Sequence, residues 1–142
     1  MATDSYQTNK TGQMDRKTIL VAVTDIFFYT KVRDALRGNY HLDRARFQPD
    51  VLEKTSLTVP SAVILNMNDD VINAFQVLEI LKGDERLKAV PVLAFANHEE
   101  VDTWNRAKRL GVTKIVSRNE FSSRTLELVE EILTGARQGA KG

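Results

Sequence analysis

Few side chains in this sequence could do chemistry, and most of them stand just after short apolar runs. Thr24 and Asp25 follow Ile19-Leu20-Val21-Ala22-Val23, and Asn66 ends Ala62-Val63-Ile64-Leu65. Ala96 and Asn97 follow Val92-Leu93-Ala94-Phe95, and Ser117 follows Lys114-Ile115-Val116. Asp25 is a candidate metal ligand, but an Asp between a strand and a helix more often accepts from the free amides of the helix start, and that is the reading adopted. Asp69 and Asp70 read as an exposed loop pair. His98 with Glu99 and Glu100 offers metal-ligand types, yet no second histidine or cysteine is nearby, so His98 is expected in solvent. His41 stands alone. The sequence has no Ser-His-Asp order, no carboxylate pair suited to hydrolysis and no glycine-rich phosphate loop, so no enzyme activity is predicted.

Composition narrows the remaining classes. In 142 residues, 20 Lys and Arg face 19 Asp and Glu, so bulk charge gives no reason to expect nucleic-acid binding. The absence of cysteine excludes disulfides and thiol catalysis and agrees with a cytoplasmic setting. No apolar run approaches the ~20 residues that a membrane helix needs. Residues 1–16 are polar, lack the apolar stretch of a secretory signal and are expected to be a disordered leader. Residues 17–134 are expected to form one domain, and the glycine-rich residues 135–142 a flexible tail.

The elements that must position the chemistry-bearing residues follow from periodicity. Apolar, β-branched runs at 18–23, 62–65, 90–95 and 114–116 suit strands buried on both faces. Residues 41–47 alternate and carry charge, as an edge strand would. Phe28, Val32, Ala35 and Leu36 share one helical face, closed by Gly38; Ile72, Phe75, Leu78 and Leu81 share another. Residues 49–57 make a weaker, short helix. Asn97 with Glu100 resembles a reciprocal cap opening a fourth helix. In that helix Val101 and Trp104 are expected to point inward and Asp102 to pair with Arg106. Ser122 is expected to open the last helix, with Leu126, Val129, Ile132 and Leu133 buried. Strand and helix alternating in this way predict a three-layer, doubly wound α/β domain with a five-stranded parallel sheet. Its functional crevice lies at the carboxyl ends of the strands, where Thr24, Asp25, Asn66, Ala96 and Ser117 fall.

In order and spacing these residues resemble the receiver domain of response regulators, the CheY-like family, over residues 17–133. The resemblance implies a place in two-component signalling, and it also implies which groups ought to be present. Receivers hold Mg²⁺ with two acidic residues after the first strand and the phosphoacceptor Asp that ends the third. A Ser or Thr ends the fourth strand and a Lys the fifth. Here the acidic pair is Thr24-Asp25, the acceptor position is Asn66, the hydroxyl position is Ala96 and the lysine position is Ser117, followed by Arg118. Lys114 occupies the place of the aromatic switch residue. A carboxylate about 4 Å from a cation is worth on the order of 4 kcal/mol at an effective dielectric near 20. Losing two of three should therefore weaken Mg²⁺ by several orders of magnitude, so no bound cofactor is expected.

The resemblance thus implies a phosphorylation-independent pseudo-receiver that works as a protein-interaction module. The partner is an unidentified signalling protein or a second copy, met through the face of the fourth helix, fifth strand and fifth helix. Trp104, Lys108, Lys114 and Arg118 are the candidate contact residues on that face. Two other readings stay open: a phosphorelay receiver using a displaced Asp, and a doubly wound domain binding a small ligand in its crevice.

Overall fold

A computed structural model describes residues 16–139; the expected leader lies outside them except for Arg16. Strands β1 (Thr18–Ala22), β2 (His41–Arg44), β3 (Ala62–Asn66), β4 (Val92–Ala96) and β5 (Lys114–Ser117) alternate with helices α1 (Ile26–Leu36), α2 (Gln48–Leu57), α3 (Ala74–Gly83) and α4 (Val101–Arg109). Two helices, α5 (Arg118–Ser123) and α6 (Thr125–Gly139), close the described chain. The sheet order is β2-β1-β3-β4-β5 with every pairing parallel. Strand order reverses beside β1, so the gap between the ends of β1 and β3 is the switch point at which such folds bind ligands.

Alternation along the strands divides the core in two. Leu20, Ala22, Val63, Leu65, Val92 and Ala94 pack against α2, α3 and α4. Ile19, Val21, Ile64, Leu93 and Phe95 pack against α1, α5 and α6. With helices on both faces, β1, β3 and β4 are buried almost throughout, which is why their sequences read as unbroken apolar runs. On the second side Phe95 stacks on Phe121 with centroids 4.3 Å apart and on Phe28 at 5.0 Å.

Several helix boundaries differ from the sequence expectation. Ser117, not Ser122, opens the final helical region: its Oγ accepts from the Glu120 amide and starts α5. The chain then breaks at Arg124, and α6 runs on to Gly139, through much of the segment expected as a tail. Ile72 precedes α3, which is capped instead by Asn73 accepting from the Gln76 amide. Arg37 rather than Gly38 caps α1. In α4 the cap residue is Glu100, whose side chain bonds none of the helix amides. Val101 is 63% exposed rather than buried, and Arg106 lies over the Phe75 ring and near Glu79 instead of pairing with Asp102.

Candidate functional site

The parallel register brings the singled-out positions to one edge of the sheet. Asn66 lies opposite Phe95, and Ala96 opposite Ser117, at the ends of β3, β4 and β5. Thr24 and Asp25 follow β1 across the switch point. Asp25, Asn66 and Ser117 each accept a hydrogen bond from the chain's own backbone. Asp25 Oδ1 accepts from the amides of Phe27 and Phe28 at 2.8 and 3.2 Å, capping α1 as expected. Asn66 is buried, and its Oδ1 accepts from the Asn68 amide at 2.9 Å, so the carboxamide folds back onto its own loop. Ala96 offers a buried methyl group, and Ser117 serves as the helix cap described above.

Asp69 is no exposed loop residue. Its Oδ2 accepts from the Thr24 amide and its Oδ1 from the Thr24 hydroxyl, both at 2.8 Å. The same Oδ1 also accepts from the Val71 and Ile72 amides at 2.9 Å. A carboxylate offers about four lone-pair sites, so these four donors leave it little capacity for a metal or an incoming phosphorus. This one side chain ties the loop after β1 to the loop after β3, across the switch point. Asp70, beside it, is exposed.

A second network closes the other half of the crevice. Glu100 accepts from Asn68 Nδ2 at 2.8 Å, Thr103 Oγ1 at 3.1 Å and Asn97 Nδ2 at 3.2 Å. These bonds, from Asn97 first and then Asn68 and Thr103, hold its carboxyl below the usual glutamate value. Asn68 Oδ1 accepts from the Asn97 amide, and the Asn97 carbonyl takes the indole proton of Trp104 at 2.9 Å. Trp104 is accordingly half-buried against the core, with Lys108 Nζ 5.9 Å from its ring centre. Lys114 is 3.4 Å from Glu131. Arg118 is not on that face: its guanidinium lies 4.5 Å over the Phe28 ring and lines a small cleft of about 290 Å³ with Asn97, His98 and Ser117. Arg44 reaches the crevice from β2, stacking on Tyr29 at 4.2 Å and donating a long bond to the Thr24 carbonyl.

The residues present do not fit the Mg²⁺ of a working receiver. One carboxylate caps a helix, a second accepts from four donors, and the acceptor position holds an amide whose oxygen is already bonded. Among the described residues no group of three or more His, Cys, Asp or Glu gathers to hold a metal. The roles of Asp69, Asn68 and Glu100 escaped sequence reasoning because their partners lie as far as 45 positions away.

No protein-family model and no curated protein matches the chain. Solved structures match it closely in shape and distantly in sequence. NtrX from Brucella abortus superposes with a TM-score of 0.77 at 17% identity, covering 89% of this chain but 28% of NtrX. The receiver domain of a signal transduction histidine kinase from Syntrophus aciditrophicus gives 0.74 at 18% identity, over 84% of this chain and 91% of that one. Chemotaxis response regulator CheY4 of Vibrio cholerae gives 0.69 at 19%, over 80% and 98%. The chain therefore has the receiver-domain, CheY-like fold that its sequence resembles. No described helix is long and apolar enough to cross a membrane.

Proposed function

We propose that this chain is a pseudo-receiver: a signalling module that keeps the receiver scaffold, works without phosphorylation and acts by binding another protein in the cytoplasm. The observation that carries the reading is Asp69. Lying three residues past the acceptor position, it is the carboxylate best placed to substitute for a lost acceptor, and it is spent instead on holding two loops together. A receiver switches because phosphorylation favours one of two conformations. Here internal hydrogen bonds fill the place of that ligand, so a single conformation should dominate. The partner face is that of α4 and β5 with α6, where Trp104, Lys108 and Lys114 stand; Arg118 serves the crevice instead.

The test is intact-mass analysis after treatment with acetyl phosphate and Mg²⁺. An unchanged mass is expected. A phosphoryl adduct that disappears in Asp70→Asn or Asp69→Asn would replace this reading with that of a phosphorelay receiver using a displaced Asp.

A further inference from the structure

We propose that the cleft between α1 and the edge strand β2 binds a small phosphate-bearing molecule. The cleft, about 520 Å³, lies in the size range of small-ligand sites. Arg33 in the last turn of α1 and Arg37 at its C-cap line it together with Arg16 before β1 and His41 at the start of β2. Tyr29 and Tyr40 supply its aromatic walls. The arginines thus come from two separate parts of the chain, and an imidazole comes from a third.

Among the described residues that line the cleft there is no Asp or Glu, so its arginines converge on one cavity with no carboxylate in its wall. Arg124 alone gathers Glu120, Glu127 and Glu131. In the cleft, among the described residues, Arg33 meets one carboxylate, that of its chain neighbour Asp34, at 3.5 Å. Among the described residues Arg16, Arg37 and His41 are in ion-pair contact with no carboxylate. Like charges at i and i+4 on a helix oppose folding, and a dianion between them removes that opposition. Arg16 is held in place by an Nη1 bond to the Arg37 carbonyl at 2.9 Å, which leaves its other N–H donors free. Planar guanidinium forks match the several acceptor oxygens of a phosphate better than a single carboxylate. Burial, with the Glu130 carboxylate nearby, raises the Tyr40 phenol above its ordinary value. Tyr29 also carries Arg44 over its ring, and Arg44 bonds the Thr24 carbonyl, which links the cleft wall to the crevice.

The experiment is an amide NMR titration of the full chain with inorganic phosphate and, separately, phenyl phosphate, at constant ionic strength set by chloride. Saturable shifts are expected at Arg33, Arg37 and His41. Combining Arg33→Gln with Arg37→Gln should weaken binding by about a hundredfold, roughly tenfold for each charge-assisted hydrogen bond removed. Arg109→Gln, on α4, should leave it unchanged. Both cleft arginines are exposed, so the paired variant should keep the parent spectrum away from the cleft and loss of binding will not mean loss of fold. Tighter binding of phenyl phosphate would assign the ligand as an ester, and equal binding as the free ion; either supports the site. Shifts that grow linearly without saturation, or that weaken equally in Arg109→Gln, overturn it.

Discussion

The crevice at the strand ends and the cleft beside β2 treat their polar groups in opposite ways. In the crevice, Asp25, Asn66, Asp69, Glu100 and Ser117 all bond to donors of their own chain. In the cleft, Arg33 meets the carboxylate of its neighbour Asp34, and among the described residues Arg37 and His41 are in ion-pair contact with none. A satisfied site is structural, because any ligand must first break bonds already made in the folded state. An unsatisfied, exposed cationic site costs little to maintain and gains when an anion arrives. The likeness to receivers draws attention to the crevice, yet the hydrogen bonds leave the open chemistry in the cleft.

Substitutions in the two regions should differ in size and in kind. The largest effect should come from beneath the crevice, where Phe95 is fully buried between Phe28 and Phe121. Phe95→Ala should cost about 3–5 kcal/mol in urea denaturation, since the stack leaves a cavity that neighbours fill only partly. Next, Asp69→Ala should cost about 2 kcal/mol, because it removes the acceptor of four donors, each able to recover only in part with water. A cost near zero would mean that the crevice loops are not held by this clamp.

Smaller and pH-dependent is the Glu100 network. Its carboxyl is held below the ordinary value in the folded chain, so its contribution is present above the unfolded-state value of about 4.3 and is lost as pH falls through the lower, folded value. The gap in urea midpoint between the parent and Glu100→Gln should therefore be open at neutral pH and close on acidification. A gap that widens on acidification would contradict the hydrogen-bond assignment. Smallest of all, Arg37→Gln should change stability by no more than a few tenths of a kcal/mol, because relief of like-charge repulsion with Arg33 offsets the loss of a cation at the carboxyl end of α1. A clear loss would show that the cleft arginines are structural after all.

The sheet is legible in the sequence because strands buried on both faces advertise themselves as β-branched apolar runs, and their carboxyl ends locate the crevice. The cap made by Asp25 is legible for a local reason, as its partners lie two and three residues away. What escapes is non-local. Nothing near Asp69 points to Thr24, and spacing alone puts Arg118 on the wrong surface because its direction depends on the Phe28 ring from another helix. Periodicity favours Ser122 over Ser117 as a cap because the break at Arg124, fixed by contacts with Glu120, Glu127 and Glu131, splits one apparent helix into two. Val101 fits an inward helical spacing but sits in the first turn, where the chain enters from solvent.

The most direct test of a closed crevice is an amide NMR titration of the full chain with Mg²⁺ and beryllofluoride, which together mimic a phosphorylated aspartate. No change at Thr24, Asp25, Asn66, Asp69 or Lys114 is the expected result, because Asp25 caps α1, Asp69 clamps two loops and the acceptor position holds an amide. Saturable shifts at those residues would contradict it and would show that the Asp69 clamp opens to form a working switch.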